Sequence, residues 1–161
     1  MRRLLVLGAV LAAAAAAGGF ALAGGGLFSP PKQLVEFGYV KSVTPKGKAY
    51  ELRFDPALWL QGRTANVAAA EDGAIKPGQA VPNDYWIRNP DRRLLTYELP
   101  VDAHVTILVN LATTRSSPAE LAQLLKGKNP KHRGQVDLKH LGFWLRYSID
   151  TVEALDQQYQ P

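Results

Sequence analysis

The alternation of apolar and polar positions after residue 33 predicts a domain built mainly of short strands. Val35, Phe37 and Tyr39 occupy every second position, and the same spacing returns after the turn sequence PKGK at residues 45–48. A period of two on both sides of a turn is typical of a β-hairpin. Tyr50, Leu52 and Phe54 form the apolar face of the second strand of this predicted hairpin.

Residues 84–110 alternate again and are interpreted as a meander of three successive antiparallel strands. Asn89-Pro90-Asp91 places Asn at the first and Pro at the second position of a type I turn. This turn separates DYWIR (84–88) from the next alternating run, which ends at Leu99, and a third run follows over 102–110.

Two helical inserts interrupt the strands. Asp55-Pro56 has the residues of an N-cap followed by proline at the first helical position, which predicts helical turns through Leu60 and a second short helix ending at Gly73. SPAE at residues 117–120 is a capping box with Pro at N1, and Gly127 is the expected end of that helix.

The last segment is predicted as a strand over 142–147, a turn near 148–150 and a further strand. A helix over 151–158 is the alternative, since Val152 and Leu155 are three positions apart. Together these patterns predict an α+β domain, a strand-rich small barrel or roll of six to seven mainly antiparallel strands with two short helical inserts.

The N-terminal residues indicate export. Arg2 and Arg3 precede an uncharged apolar run over residues 4–23 that ends in Ala21-Leu22-Ala23. Residues 1–23 are therefore interpreted as a signal peptide or an N-terminal membrane anchor. The expectation is a protein that is secreted, or anchored by residues 4–23 to the outer face of the cytoplasmic membrane. Residues 24–32 form a Gly/Pro spacer, and 33–161 a single β-rich extracytoplasmic domain.

Composition excludes several activities. The chain contains no cysteine, so it lacks a lipid-attachment cysteine, a thiol nucleophile, a disulfide and a Cys-based zinc site. The net charge is +5, of which Arg2 and Arg3 supply two, and the remaining +3 is too small to indicate nucleic-acid binding. The sequence also has no serine-hydrolase elbow, phosphate-binding loop or zinc-binding histidine spacing.

Four carboxylates form the first candidate site. Asp55, Glu71, Asp72 and Asp84 come from separate predicted loops and helix ends, and converging oxygen ligands could bind Ca²⁺ or Mg²⁺. The alternative is that Asp55 caps a helix, Asp84 belongs to an Asx turn, and the other two are solvated.

A basic loop forms the second candidate site. KGKNPKHRG could bind anionic lipid or a wall polymer, because each cation near an acidic surface contributes about 1 kcal/mol. The alternative is a solvated loop whose cations suit the C-terminus of the preceding helix. The candidate residues are Lys126, Lys128, Lys131, His132 and Arg133.

Aromatic side chains form the third candidate, a platform on which sugars or bases could stack. Trp86 and Arg88 are expected on one strand face, opposite Tyr85 and Ile87, so one of the two pairs could be exposed. Rings at alternating strand positions are otherwise core residues. The platform would combine Trp59, Trp86 and Trp144 with Tyr85 and Tyr147.

His104 is the fourth candidate. It precedes Val105 at the start of a predicted strand and could act as an acid or base with Glu98 of the previous strand. The ordinary alternative is a surface histidine with no catalytic role.

The sequence resembles a group of small exported proteins of high-GC Gram-positive bacteria. The segments that carry the resemblance are ELRFDPALWLQGRTANVAAAEDG (51–73), VPNDYWIRN (81–89) and VEALDQQYQP (152–161). It implies export and a compact domain, and it implies no reaction or catalytic residue.

These patterns favour a non-enzymatic extracytoplasmic binding or interaction module of the cell envelope. An envelope protein, a wall polymer or an anionic membrane surface is the expected partner, with no cofactor. The alternative is a divalent-cation-dependent envelope hydrolase that uses the four carboxylates. A structural subunit of an envelope complex is a third possibility.

Overall fold

The computed structural model describes residues 33–161 apart from Arg92, Pro130, His132 and Arg133. The predicted export segment 1–23 and spacer 24–32 lie outside the described residues. Within them, eight strands and two α-helices follow one another, and a 3₁₀ turn (Pro82–Asp84) precedes β3. The elements are β1 Leu34–Lys46, β2 Ala49–Gln61, α1 Gly62–Glu71, β3 Tyr85–Arg88, β4 Leu95–Pro100, β5 His104–Val109, β6 Ala112–Ser116, α2 Pro118–Leu125, β7 Phe143–Ser148 and β8 Thr151–Gln157.

All eight described strands belong to one mixed sheet, which confirms the α+β class. The main path runs β3-β2-β1-β7-β8-β5-β6, and β4 pairs with both β2 and β8. Most pairs are antiparallel, while β8 is parallel to β4 and β5. The α2 capping box is confirmed in part, since Ser117 Oγ accepts from the Glu120 amide at 3.2 Å.

The predicted hairpin is confirmed as β1–β2, with Lys46 opposite Ala49 across a turn in which Gly47 has φ +61°. Gly38 of β1 faces the interior, where an added Cβ would lie 2.3 Å from the Asp55 carbonyl oxygen and 2.8 Å from the Phe54 ring. The missing side chain therefore leaves room for the fully buried Phe54.

The helix predicted from Asp55-Pro56 is wrong. β2 continues through both residues to Gln61, since Phe37 pairs with Ala57 on one side and Ile87 with Trp59 on the other. The apolar alternation of β2 simply extends past the proline. The first helix is α1, which begins at Gly62 with φ +55°.

The predicted meander is also wrong, because β3, β4 and β5 do not pair with one another. β2 is 13 residues long and accommodates two short strands along the same side. Residues 49–54 of β2 pair with β4, and residues 58–61 pair with β3. β5 pairs with β6 and β8 instead.

Two further points of the interpretation change, one at the hairpin β5–β6 and one at β8. The strand count rises to eight in the described part because β6 was missed; its hairpin turn Asn110-Leu111 has positive φ at both residues (50° and 67°) but lacks the usual glycine. The helix alternative for residues 151–158 is wrong, since β8 pairs with β7 along its length.

The core lies on the inner face of the sheet beneath α2. Phe54, Leu99, Leu121 and Leu155 are among its fully buried side chains. A second, smaller cluster lies under α1, where Ala65, Ala69 and Val81 pack with Leu60, Ile75 and Trp86.

Candidate functional site

The outer face of the sheet carries a contiguous group of aromatic side chains, here called the aromatic patch: Phe37, Tyr39, Trp59, Tyr85 and Trp144. The Phe37 ring lies at the centre, with its centroid 5.0 Å from that of Trp59, 5.1 Å from Trp144 and 6.0 Å from Tyr39. Trp59 stacks on Tyr85 at 4.4 Å and 11°. Phe37 is buried and the other four are half-buried, so parts of those four rings reach the surface.

Strand register explains why these rings meet. Phe37 is opposite Ala57 on β2 and opposite Trp144 on β7. Because residues two apart share a face, Tyr39 and Trp59 lie on the same side as Phe37 and Ala57. Phe37 and Tyr39 were not in the predicted platform. The sequence shows that they share one face of β1, but it does not show that this face is the outer one.

An ion pair between a buried carboxylate and an exposed lysine adjoins the patch. Asp55 is opposite Tyr39 and only 7% exposed, and its Oδ2 lies 2.8 Å from Lys41 Nζ. The same ammonium is 5.5 Å from the centre of the Tyr39 ring. Burial, together with the negative charge of Asp55 and the nearby Tyr85, raises the pKa of Tyr39. The edge of the patch therefore offers a cation and a phenolic hydroxyl.

The last residues of the sequence run along one edge of the patch. Trp144 Nε1 donates to Gln158 Oε1 at 3.0 Å, and Asn83 Nδ2 donates to the Pro161 carbonyl at 2.9 Å. The Tyr85 hydroxyl is 3.4 Å from the same carbonyl. These bonds hold the rings of Trp144 and Tyr85 by their polar ends and leave their faces to neighbouring rings or to solvent.

Trp86 and Arg88, two of the predicted ligand-binding residues, do not join the patch. They lie on the α1 side of β3 and form the Arg88 cluster with Glu71 and Asp72. Arg88 donates to Asp72 Oδ2 at 3.0 Å, to Glu71 Oε2 at 3.0 Å and to the Ala68 carbonyl at 2.7 Å. Trp86 Nε1 also donates to Asp72 Oδ2, at 2.8 Å.

The hydrogen bonds of the cluster change the acidity of its members. The bonds from Arg88 and then from Trp86 lower the pKa of Asp72, and the bonds to Asp72 and Glu71 raise the pKa of Arg88. These bonds favour the charged forms of Asp72 and Arg88, and a single guanidinium is shared between the two carboxylates.

The four carboxylates predicted to bind a cation have different surroundings. Asp55 pairs with Lys41, and Glu71 and Asp72 pair with Arg88. Asp84 lies in the 3₁₀ turn with φ +55°. Across the described residues, no three His, Asp or Glu side chains form a group that could hold a metal ion.

The basic loop is described only in part, since His132 and Arg133 lie outside the described residues. Lys126 and Lys128 are exposed. Lys131 is held differently, because its Nζ lies 2.8 Å from Oε2 of Glu120, whose side chain is 3% exposed. One cation of the predicted surface thus anchors the loop to α2.

Two other expectations are corrected. Tyr147 packs against Tyr97, with ring centroids 4.8 Å apart, rather than joining the aromatic patch. The carboxylate beside His104 is Asp156 of β8 instead of Glu98, with Nε2 and Oδ1 3.7 Å apart. Parallel pairing of β5 with β8 brings these two residues together, and sequence patterns give no signal for it.

Comparison with known proteins adds no relative. The chain matches no protein-family model, no curated protein and no solved structure. Of the helices in the described residues, none has both the length and the apolar character needed to cross a membrane. The aromatic patch is therefore interpreted from its own geometry.

Proposed function

We propose that this chain is a non-enzymatic extracytoplasmic binding module of the cell envelope, and that the aromatic patch is its binding surface. The observation that carries the proposal is the position of the half-buried Tyr39, Trp59, Tyr85 and Trp144 on the outer face of the sheet, around the buried Phe37. Rings on the solvent side of a sheet expose apolar faces that a flat ligand can cover. The charged and apolar features of residues 1–23 support a location outside the cytoplasm.

A wall polymer is the partner that this surface favours. Sugar rings present C–H faces that pack on Trp and Tyr, and their hydroxyl groups need polar partners at the rim. Lys41 and the Tyr39 hydroxyl supply such partners next to the rings. An anionic membrane would instead favour a cationic surface without stacking rings.

The proposed architecture suits a surface of this kind. β4 pairs with β2 and also with β8, so the pairings β2-β1-β7-β8-β4 return to β2. We infer a sheet that curls into a small barrel, with its interior filled by the core. In such a barrel the ligand has to bind on the outer face, where the patch lies.

Co-sedimentation of the purified full chain with isolated cell wall, at low and high salt, tests the proposal. We expect binding that survives high salt and is lost in Trp59→Ala and in Trp144→Ala, since stacking depends little on ionic strength. Trp86→Phe is the matched control, because Trp86 lies on the opposite face of β3 from Tyr85.

Two results would contradict the proposal. One is wall binding that is the same in the Trp59 and Trp144 variants as in the unmodified chain. The other is binding that disappears at high salt and in Lys126→Ala/Lys128→Ala, which would place the contact on the basic loop. The N-terminal segment is common to all variants, so differences among them report on the domain.

A further inference from the structure

A cluster of charged and polar side chains continues the outer face beyond the aromatic patch. It lies on β5, β6, β7 and β8 and is called the ionic patch here. Thr106 Oγ1 donates to Asp156 Oδ1 at 2.7 Å, and an Arg146 N–H donates to Asp156 Oδ2 at 2.8 Å. Its members are His104, Thr106, Arg115, Arg146 and Asp156.

The two patches share one cross-strand row. Phe37 is opposite Trp144, Trp144 is opposite Asp156, and Asp156 is opposite Thr106. Thr106 is in turn opposite Arg115 on β6. Neighbouring strands are about 4.8 Å apart, so Trp144 and Arg115 are separated by about 14 Å along this row. A short oligomer can contact both.

A second row runs beside the first. Arg146 is opposite Ala154, and Ala154 is opposite His104. The small Ala154 side chain, 4% exposed, separates the longer side chains of Arg146 and His104. The ionic patch thus has a shallow depression over Ala154, with the Arg146 side chain on one side and the His104 imidazole on the other.

His104 has a neighbour at each ring nitrogen. Arg115 contacts Nδ1, and Nε2 lies 3.7 Å from Asp156. The patch contains two arginines and one aspartate, so these three side chains carry more positive than negative formal charge.

We propose that the ionic patch binds the anionic group of an acidic saccharide, a carboxylate or a phosphate, while a ring of the same ligand stacks on Trp144. This inference rests on the function proposed above and specifies its ligand. The Arg146 and His104 side chains are 41% and 43% exposed, so both reach solvent. Guanidinium groups bind carboxylates and phosphates with two parallel N–H donors.

The Asp156 carboxylate competes with the ligand anion for the Arg146 guanidinium. It occupies an Arg146 donor that a ligand anion would otherwise use, and its negative charge opposes that of the ligand. Asp156→Asn removes the charge while keeping an acceptor for Thr106. The proposal therefore predicts tighter binding of a charged ligand in this variant, whereas a purely structural Asp156 predicts only lower stability.

The experiment compares charged and neutral forms of the same oligomer with the purified full chain. One pair is an oligogalacturonate and its carboxyl-reduced form, and the other is a phosphorylated dextran oligomer and dextran. Calorimetry measures affinity, and NMR follows the indole N–H of Trp144 and the Nε–H signals of Arg115 and Arg146. The pair that shows the charge preference identifies the anion as carboxylate or phosphate.

We expect a charged oligomer to bind about 10- to 100-fold more tightly than its neutral form, as charge-assisted hydrogen bonds allow. Arg115→Gln/Arg146→Gln should remove that preference. Asp156→Asn should increase the preference. Arg53→Gln, which removes one positive charge from β2 beside Thr96, is a control outside the ionic patch and should change neither.

The outcomes separate this inference from the proposed function. If the neutral oligomers shift the Trp144 signal and charge adds no affinity, the ionic patch is a set of structural ion pairs and only this inference is wrong. If Arg115→Gln/Arg146→Gln binds the charged oligomer with unchanged affinity, only this inference is wrong as well. If no oligomer, neutral or charged, shifts the NMR signal of the Trp144 indole N–H, the result also contradicts the proposed function.

Discussion

Tyr85 and Trp86 are neighbours in the chain, yet they belong to two regions that use aromatic side chains in different ways. Tyr85 stacks on Trp59 in the aromatic patch. Trp86 packs toward α1 and donates its indole N–H to Asp72 in the Arg88 cluster. In the cluster, the polar side chains form hydrogen bonds with one another. In the patch the rings contact mainly rings, which leaves their outward faces available to a ligand.

The largest effect is expected in the aromatic patch. Trp59→Ala removes contacts with Phe37, Tyr85 and Trp144. A fully buried Trp costs about 3–5 kcal/mol when truncated, and the half-buried Trp59 should cost about 2–3 kcal/mol. Denaturant unfolding measures the loss, and wall co-sedimentation of the folded variant measures binding. A variant that keeps full binding would show that the patch is structural.

Trp86→Phe should have a smaller and different effect. It keeps an aromatic ring over Ala65 and Ala69 but removes the hydrogen bond to Asp72. We expect a loss of about 1 kcal/mol in the free energy of unfolding. Wall binding should be unchanged. Loss of binding at constant stability would move the binding surface from the aromatic patch to the α1 side of β3.

The Arg88 cluster should weaken in acid. The pKa of Asp72 lies below its ordinary value of 3.8, because of the hydrogen bonds from Arg88 and Trp86. A pKa that is lower in the folded state means that the cluster stabilises the fold above pH 3.8 and loses that contribution as the pH falls through the folded-state pKa.

Thermal unfolding between about pH 4 and about pH 2 checks this prediction. Asp72→Asn should show a shallower fall of the melting temperature than the unmodified chain. Asp102→Asn, at an exposed turn position, is the control and should follow the unmodified chain. Identical slopes for both variants would mean that Asp72 contributes nothing to acid stability.

The smallest expected effect concerns divalent cations. Since Arg88 already pairs with both Glu71 and Asp72, and Lys41 pairs with Asp55, we expect millimolar Ca²⁺ or Mg²⁺ to leave the melting temperature unchanged. A cation at 100-fold over its Kd would stabilise the fold by about 2.7 kcal/mol. Such a rise, lost in Asp72→Asn, would favour the cation-dependent hydrolase over the binding module.

Local sequence determined much of the secondary structure and little of the candidate sites. The hairpin β1–β2, the helix after Ser117 and the last two strands follow from alternation, caps and glycines within a few residues. The sequence-based prediction was wrong where paired strands are distant in sequence. Both the predicted helix at Asp55 and the predicted meander assumed that neighbours in the chain pair with one another.

The sites show the same division. Trp59, Tyr85 and Trp144 were candidates for a stacking platform, with core packing as the alternative, and their rings do meet. Trp86 was a candidate with them, but β3 directs it to the opposite face. Asp156, Arg115 and Arg146 were not predicted at all, because β8 places residues from the end of the chain beside β5, about 50 positions earlier.

The sequence by itself determined that this chain forms a strand-rich α+β domain without cysteine and that each strand has two distinct faces. A period of two separates those faces, but it does not say which one will be covered. Only the tertiary structure decided that α2 and the core cover the inner face, and that the Phe37 side of β1 faces outward. The physical reason is that burial depends on strand order and on contacts between distant segments, which local patterns do not encode.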